Sequence, residues 1–264
     1  MGDLVASIVP PSCTKSDKPW VYGYDGKWLG RSPILLVHRD VKNKETLWWS
    51  VARSENLGAV QADLVSIASQ LHPTLPLGAV TDGKPGIGEA IKTMFHLSVV
   101  QRCVVHVERD LKNYLPLHSP LLATQELREI CIPLTGVKTK ADYNQLYFTL
   151  AQWESQYGYL LKERSSPNPG SGVKRSWWYT HGNLRRAWRL LNRDPQSLFH
   201  FLDNSITPST NNSLEGVNRH LTRRIGMSKG KQLSIMCWKL AFSRLKTPKN
   251  RKLLWDRWKR LLKS

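Results

Sequence analysis

The sequence predicts an α/β protein in which a mixed β-sheet is flanked by helices. Three observations lead to this prediction. Three aromatic and β-branched runs lie before residue 53, helical and strand-like segments alternate over residues 57–107, and helical patterns dominate from residue 121 onward. With 264 residues, of which 41% are hydrophobic, the chain is long enough to build a sizeable core as one large domain or two small ones.

The first part of the chain is expected to form three strands and a helix. Residues 1–19 show no clear period and are interpreted as a loose lead. The predicted strands are Trp20–Tyr24, Pro33–His38 and Thr46–Ala52, which are separated by turn-forming and charged residues. Leu57–Leu71 carries apolar residues on one helical face. A three-stranded meander followed by a helix is therefore expected.

Residues 77–110 form the centre of the predicted sheet. An apolar run ends in Thr81-Asp82-Gly83, and after a Gly/Pro loop the apolar residues from Ile87 to Phe95 recur at helical spacing. A second apolar run, Val99–Val107, is interpreted as another strand. This strand, helix, strand unit has ionisable residues at its strand ends, which is where α/β proteins place ligands and catalytic groups.

The chain is expected to contain four regions. They are a loose lead at 1–19, the first part of an α/β core at 20–120, a helical insertion at 121–205, and C-terminal core helices with Glu215 and a basic tail at 206–264. The helices predicted in the insertion are Leu121–Ile130, Lys140–Lys162 and Gly182–Leu191, with a flexible linker at 165–172. Later helices are expected near Asn212–Arg224, Lys231–Leu245 and Lys252–Leu262.

The positive charge of the chain is concentrated in its last third. The net charge is +19; residues 1–170 carry 18 Lys and Arg against 16 Asp and Glu, and residues 171–264 carry 21 against 4. A surface of this charge density favours a polyanionic partner, because neutralising phosphates releases their counterions. Nucleic acid fits best. A basic surface that only confers solubility, or one that binds a membrane surface, is the alternative.

The four cysteines are scattered and contain no CxxC pair, so neither a disulfide framework nor a four-ligand zinc site is predicted. No apolar run reaches transmembrane length, and the N-terminus lacks the order of a signal peptide. These features favour a cytoplasmic protein, associated with the nucleoid if it is bacterial, with no membrane partner.

Three carboxylates are candidate catalytic residues: Asp25, Asp82 and Glu215. Asp25 is predicted to end the first strand, Asp82 the fourth, and Glu215 to begin a later helix. Two of them also fit a purely structural role, since Asp25-Gly26 is typical of a hairpin turn and Asn212-x-x-Glu215 is typical of a helix capping box. Asp82 is less easily interpreted in that way, because a helix and not a return strand follows its turn.

Taken together, these carboxylates fit one chemistry. Two divalent cations, Mg²⁺ or Mn²⁺, activate an attacking oxygen and stabilise the leaving oxygen in phosphoryl transfer, and convergent carboxylates are needed to hold them. We therefore expect Asp25 and Asp82 on neighbouring strands and Glu215 on a helix packed across them. Their carboxylates should then lie within about 4 to 8 Å of one another.

Four ordered motifs resemble those of the Mutator-like DDE transposases and their bacterial insertion-sequence relatives. They are DGKPGIGEAI at 82–91, QRCVVHV at 101–107, WWYTHGNLRRA at 177–187 and TNNSLEGVNRHL at 210–221. The resemblance covers residues 20–245 approximately. It implies a ribonuclease H-like core with a helical insertion between the second and third acidic residues. It also implies that Asp25, Asp82 and Glu215 are the metal-binding triad.

Cys103-x-x-His106 is similar to a Cys/His signature of the same superfamily. From chemistry alone, two residues at this spacing do not make a zinc site, and a buried polar pair that supports the core is the alternative.

The resemblance implies a DDE-type transposase that cleaves DNA and transfers strands between element ends and target DNA. A homo-oligomer assembled on DNA and no small-molecule cofactor are expected. The alternatives are a ribonuclease H-like nuclease that only hydrolyses and an inactive DNA-binding remnant. Transposases of this family usually carry a DNA-recognition region before the first Asp, whereas 24 residues precede Asp25 here. A shortened or separately encoded recognition domain, or a decayed copy, is therefore a further expectation.

Aromatic and basic residues outside the triad are candidates for binding DNA: Trp177, His181, Arg185, Arg186, Arg223, Arg224, Lys229 and Lys231. Aromatic side chains stack on unpaired bases, and the last four residues follow Glu215 closely. For Trp178 and Trp188 we expect inward packing from a helix instead. Residues 246–263 have an amphipathic pattern that also fits packing on a partner subunit.

Overall fold

The computed structural model describes residues 18–28, 34–71, 74–168, 176–212 and 214. These residues form two compact units. One contains the residues up to Gln101 together with those from Ile206 onward, and the other contains Arg102–Ser205. Among the described helices, none has the length and apolar character needed to cross a membrane.

A five-stranded mixed sheet forms the centre of the first unit. Its strands are β1 (Tyr22–Trp28), β2 (Ile34–Asp40), β3 (Glu45–Ala52), β4 (Ala79–Thr81) and β5 (Gln101–Arg102), in the order β3-β2-β1-β4-β5. The first three strands form the expected antiparallel meander, whereas β4 pairs with β1 in parallel. The predicted mixed α/β class is thereby confirmed.

Two helices, α1 (Leu57–Leu71) and α2 (Ile87–Phe95), pack against this sheet and confirm the helices expected there. Tyr22, Tyr24 and other sheet residues share one buried apolar cluster with Leu64 of α1 and with Ile91 and Phe95 of α2. The 3.6-residue period of the helices and the two-residue period of the strands turn these side chains to a common face. The core of the unit therefore lies between the sheet and the two helices.

A polar network is buried in the same core. Asp63 of α1 accepts hydrogen bonds from Trp48 Nε1 at 3.0 Å and Ser50 Oγ at 2.5 Å, and its Oδ2 lies 3.0 Å from His38 Nε2. The other ring nitrogen of His38 lies 2.5 Å from the Tyr22 hydroxyl. Because buried polar groups are costly only when they lack partners, this network is compatible with a stable core.

The second unit is mainly helical. Its helices are α3 (Val104–Tyr114), α4 (Leu122–Cys131), α5 (Lys140–Tyr157), α6 (Gly182–Asn192) and α7 (Pro195–Phe199), with 3₁₀ turns at Ile132–Gly136, Gly158–Leu161 and His200–Leu202. The predicted helices beginning at Leu121, Lys140 and Gly182 are confirmed, the second of them changing to a 3₁₀ turn after Tyr157. Leucines from α3 to α6, with Trp153, form its own apolar core.

Two predictions of local structure are wrong, and one element was not predicted. Asp25 does not end the first strand, because β1 continues to Trp28, and Asp25-Gly26 pairs with β2 and is not a hairpin turn. The run Val99–Val107 is a strand only at β5, and α3 begins at Val104. The mainly helical region also contains a short antiparallel ribbon, β6 (Arg164–Ser165) with β7 (Trp178–Tyr179).

The physical reason for the second correction is the spacing of buried side chains. Val104, Val107 and Leu111 lie three and four residues apart and are all buried in the core of the second unit. The helical spacing can be recognised only when Leu111, which lies beyond the predicted strand, is considered together with Val104 and Val107. The helices predicted near Asn212–Arg224, Lys231–Leu245 and Lys252–Leu262, and the lead up to residue 17, lie outside the described residues.

Candidate active site

Asp25 lies within β1, and Asp82 directly follows β4, the neighbouring parallel strand. The parallel register between the two strands comprises the pairs Tyr22 with Ala79 and Gly23 with Val80. Asp25 and Asp82 each lie two residues beyond the second of these pairs. Their neighbouring strands confirm that part of the expectation, while the separation of the carboxylates stays a prediction.

Asp82 lies in a turn whose conformation is set by the neighbouring residues 81–86. Its Oδ1 accepts a hydrogen bond from the backbone N–H of Lys84 at 3.0 Å, and the Thr81 hydroxyl accepts one from Gly83 at 3.1 Å. Gly83 and Gly86 have φ of 83° and 81°, a conformation that glycine adopts without steric cost. The motif therefore fixes Asp82 through local bonds and glycine geometry.

The segment that leads to Glu215 is anchored on β1 beside Asp25. Asn211 is buried and its Nδ2 donates a hydrogen bond to the Tyr24 carbonyl at 3.0 Å. A Cβ added to Gly23 would lie 3.1 Å from Asn211 Oδ1 and 3.3 Å from Leu214 Cδ1. The same Cβ would overlap Val41 Cγ1 first, so the missing side chain at Gly23 leaves room for Val41 as well as for Asn211 and Leu214. The described chain thus reaches β1 one residue before Glu215.

Glu215 itself lies outside the described residues, as do the basic candidates Arg223, Arg224, Lys229 and Lys231. Within the described part of the chain, no group of three or more His, Cys, Asp or Glu residues is arranged to hold a metal ion. Asp25 and Asp82 supply hard carboxylate oxygens, the donor type that Mg²⁺ and Mn²⁺ prefer. The donor set therefore fits such a cation.

A fourth carboxylate, Glu55, lies beside these two strands and was missed by the sequence analysis. Its Oε1 accepts a hydrogen bond from the Tyr24 hydroxyl at 2.8 Å, and its Oε2 lies 2.8 Å from Lys84 Nζ. The same ammonium group donates to the Glu55 carbonyl at 3.1 Å. Glu55 stands in a loop without any periodic pattern, so no local signal marks it.

The Tyr24 hydroxyl remains a hydrogen-bond donor over the ordinary pH range. Burial raises its pKa well above the usual value, and the neighbouring Glu55 carboxylate raises it further. Asp82 contributes a smaller rise in the same direction. The Tyr24 phenol is therefore in the electrostatic field of both carboxylates and stays protonated.

Cys103 and His106 lie at the start of α3. Cys103 is the buried N-cap residue and His106 is in the first turn. Burial raises the pKa of the Asp110 carboxyl, and His106, one turn before it on the same helix, opposes that rise. This interaction links His106 to Asp110 of the same helix, and the role of Cys103 and His106 as a polar pair stays a prediction.

An aromatic and cationic surface is built on the β6–β7 ribbon. The Arg164 guanidinium lies 4.1 Å from the centroid of the Trp177 ring, and the Arg185 guanidinium lies 3.9 Å from that of Tyr179. The two rings meet edge to face at 5.2 Å. Cation–π contacts of this kind fix the positions of the guanidinium groups and the aromatic rings at an exposed site. We call Arg164, Trp177, Tyr179 and Arg185 the ribbon surface.

His181 is the N-cap residue of α6, and Arg186 lies within that helix. His181 Nε2 lies 3.2 Å from Glu163 Oε2, and Arg186 donates to Asn183 Oδ1 at 3.1 Å in an exposed position. A cleft of about 450 Å³ opens beside them. Its walls include Tyr114, Pro116, Ser119, Thr124, Thr180, His181 and Asn183. Four sequence-predicted candidates are therefore gathered in one region of the second unit.

Trp178 and Trp188, for which inward packing was expected, differ in their burial. Trp188 stacks on Trp153 with ring centroids 5.1 Å apart and packs against the helical core, as expected for inward packing. For Trp178 the same expectation is wrong, because it lies on β7 and is 37% exposed. It belongs to a two-stranded ribbon that the sequence analysis did not include, and not to a helix that would turn it inward.

One segment of the chain is similar to a known protein family. Residues 75–160 match the family model for transposases of the Mutator family, which confirms the resemblance found in the sequence over that segment. The segment contains Asp82, Cys103 and His106. No match to a curated protein is found.

Proposed function

We propose that this chain is the catalytic domain of a DNA transposase, because residues 75–160 match the family model for transposases of the Mutator family. Its reaction is metal-dependent cleavage of a phosphodiester at an element end, followed by transfer of the freed strand to target DNA. The antiparallel meander with β4 added in parallel supports a ribonuclease H-like core. In this proposal residues 121–205 are its helical insertion.

The observation that carries the proposal is the convergence of three chain segments on β1. Asp25 lies within β1, Asp82 directly follows the neighbouring strand β4, and Asn211 ties the segment before Glu215 to the backbone of Tyr24. Residues far apart in sequence are thus directed to one strand by hydrogen bonds and close packing. Asp25, Asp82 and Glu215 are the proposed catalytic triad.

The proposed role of the three carboxylates is to hold Mg²⁺ or Mn²⁺, with two ions as the expected number. Held by these three carboxylates, divalent cations would supply activation of the attacking oxygen and stabilisation of the leaving oxygen of the phosphodiester. The Lys84 N–H bond to Asp82 and the burial of Asp25 restrict both side chains before substrate arrives. Restricting them in this way reduces the entropy lost when the reacting groups are aligned.

The reaction has two steps that use the same carboxylates. In cleavage, a water oxygen bonds to phosphorus while the bond to the 3′ oxygen breaks, leaving a 3′-hydroxyl. In strand transfer, that 3′ oxygen bonds to a target phosphorus while the target strand's own 3′ oxygen leaves. Both substrates of the reaction, the element end and the target, are therefore DNA. A homo-oligomer assembled on DNA would bring two element ends together.

The ribbon surface and the basic C-terminal segment are proposed to bind that DNA. Trp177 and Tyr179 offer aromatic rings for unpaired bases, and Arg185 and Arg186 offer positive charge for phosphates. His181 borders the cleft beside them. Arg223, Arg224, Lys229 and Lys231 are proposed to contact the backbone close to Glu215.

Strand transfer by the full chain tests the proposal. DNA with a pre-cleaved 3′-hydroxyl end and a plasmid target is incubated with Mg²⁺ or Mn²⁺, and joined product is measured. Asp82→Asn should abolish joining and cleavage while DNA binding stays intact or tightens, because a negative charge beside phosphate is removed. Glu89→Gln, an equal charge change at an exposed position of α2, is the matched control.

The products of the reaction distinguish the candidate functions. Plasmid nicking without joined product, over a range of candidate ends, favours the hydrolytic nuclease, and DNA binding without either reaction favours the inactive remnant. Cleavage that survives chelation, or that is equal in Asp82→Asn and the parent, overturns the metal-dependent mechanism.

A further inference from the structure

Glu55 is a buried carboxylate whose two oxygens both have partners. Its side chain is 6% exposed, and its loop lies between β3 and α1. Oε1 accepts from the Tyr24 hydroxyl and Oε2 from Lys84 Nζ, each at 2.8 Å. A carboxylate with this degree of burial is retained at low cost only with such partners.

The partners of Glu55 connect it to both proposed metal ligands in the first unit. Tyr24 immediately precedes Asp25 on β1. Lys84 follows Asp82 by two residues, and its backbone N–H donates to the Asp82 carboxylate. Glu55 therefore bridges the strand that carries one aspartate and the turn that carries the other.

The backbone of β1 approaches Glu55 directly at the residue after Asp25. A Cβ added to Gly26 would lie 2.9 Å from Glu55 Cδ and 2.9 Å from its Oε1, closer than real Cβ atoms come to other groups. Glu55 thus packs against the main chain of β1 as well as bonding to it. Any larger residue at position 26 would displace the carboxylate.

The turn between β4 and α2, which carries Asp82, needs a contact that restricts its conformation. Gly83 and Gly86 both have positive φ, and glycine has more accessible backbone conformations than any other residue. The Lys84 ammonium is anchored twice to Glu55, on the side chain and on the carbonyl. These two bonds limit the positions that the turn, and with it Asp82, adopts.

We propose that Glu55 is a positioning residue, which through Tyr24 and Lys84 holds Asp25 and Asp82 in the arrangement that binds a divalent cation. The inference rests on the proposed function of those aspartates. Glu55 is not itself a ligand in this arrangement, because both of its oxygens accept hydrogen bonds from Tyr24 and Lys84. It orients the segments that carry the ligands through its hydrogen bonds and does not contact the cation, as is usual for residues that orient metal ligands.

Mn²⁺ binding to the full chain without DNA is the test, measured by calorimetry and by the paramagnetic resonance of free Mn²⁺. Glu55→Gln keeps the shape of the side chain and removes the charge opposite Lys84. We expect it to weaken Mn²⁺ binding by roughly 10- to 100-fold, the usual loss when a residue that orients a ligand is changed. Glu89→Gln, with the same charge change at an exposed site, should bind as the parent does.

A second variant keeps the test independent of the folding of Glu55→Gln. The Lys84 side chain is 37% exposed, whereas that of Glu55 is 6% exposed. Lys84→Met therefore removes the Glu55–Lys84 ion pair by changing the partner at which substitution is better tolerated. We expect a comparable loss of Mn²⁺ affinity, and no further loss in the double variant, because both changes break one connection. A purely structural role would lower the unfolding temperature and leave Mn²⁺ affinity of the folded protein unchanged.

The outcomes separate this inference from the function on which it rests. Parent-like Mn²⁺ affinity in Glu55→Gln or in Lys84→Met, together with lost affinity in Asp82→Asn, overturns the role of Glu55 and leaves the proposed function standing. If the parent does not bind Mn²⁺, or Asp82→Asn binds it equally well, the proposed metal site fails and the inference fails with it.

Discussion

The side chain of Asn211 donates a hydrogen bond to the backbone carbonyl of Tyr24 across 187 residues of sequence. Tyr24 precedes Asp25, and Asn211 lies four residues before Glu215. One buried bond therefore connects the surroundings of the first and last proposed catalytic residues. Gly23 makes room for it, since a side chain there would crowd Asn211 and Leu214.

Replacing Asn211 with alanine should lower stability. The change removes a buried hydrogen bond, at a cost of about 1 to 3 kcal/mol in the free energy of unfolding. Asn211→Asp should cost at least as much, since it replaces the donor with a second acceptor facing the Tyr24 carbonyl. Urea denaturation measures both, and Gln61→Ala at an exposed position of α1 should change the value by less than about 0.5 kcal/mol. A parent-like midpoint for Asn211→Ala would contradict the anchor.

Trp177 and Trp188 should respond in opposite ways to truncation. Trp177→Ala removes an exposed ring of the ribbon surface, so it should weaken binding of single-stranded DNA by about 1 to 3 kcal/mol with little loss of stability. Trp188→Ala removes a ring stacked on Trp153 and should lower the free energy of unfolding by about 3 kcal/mol. Fluorescence anisotropy with a labelled oligonucleotide and thermal unfolding distinguish the two. Equal binding by Trp177→Ala and the parent would remove the ribbon surface from the DNA path.

The elements that the sequence predicted well are those with a long and regular period. The helices from Leu57 and Lys140 and the meander of β1 to β3 follow directly from apolar spacing. Asp82 was also recognisable, because a turn motif with glycines follows a buried strand and leads into a helix. Local pattern and tertiary packing agree at these positions.

Long-range contacts account for what the sequence did not reveal. Glu55 meets Tyr24 and Lys84 at separations of 31 and 29 residues, and a single acidic residue in a loop is usually exposed. The β6–β7 ribbon was missed because each strand has two residues, too few to show alternation. The start of α3 was hidden within an apolar run that fits a strand equally well.

Stability of the second unit should depend on pH through Glu108. Burial alone would raise the pKa of this carboxyl, but hydrogen bonds from Lys112 and from the N–H and hydroxyl of Thr135 outweigh it and lower the pKa below its usual value of 4.5. Since the folded pKa is the lower one, the contribution is fully present above the unfolded pKa and is lost as pH falls through the folded pKa.

Glu108→Gln should therefore lower the melting temperature at neutral pH and have a smaller effect below pH 4.5, where the parent loses the same interaction. Thermal unfolding by circular dichroism at a series of pH values measures the difference. Glu154→Gln, at an exposed position of α5, is the control and should show no such convergence. A Glu108→Gln deficit that is constant across the series would contradict the ionic origin.

The basic C-terminal segment should account for much of the salt dependence of DNA binding. Residues 171–264 carry 21 Lys and Arg against 4 Asp and Glu, and phosphate contacts release counterions wherever they form. Neutralising Arg223, Arg224, Lys229 and Lys231 together should weaken binding to unrelated sequences alike, because phosphate contacts position DNA without reading bases. The slope of log K against log salt should become shallower by up to about 0.9 for each duplex phosphate that the variant no longer neutralises.

Binding titrations of the full chain at four or more salt concentrations give that slope directly. A matched control neutralises Lys15, Lys18, Lys27 and Arg31, which removes the same charge from the nearly balanced first part of the chain. If the charges near Glu215 bind phosphate, the control should retain the parent slope while the C-terminal variant loses part of it. Equal slopes in the parent and the C-terminal variant would exclude these four residues from the DNA path, whereas equal reductions of the slope in both variants would show that only total charge matters.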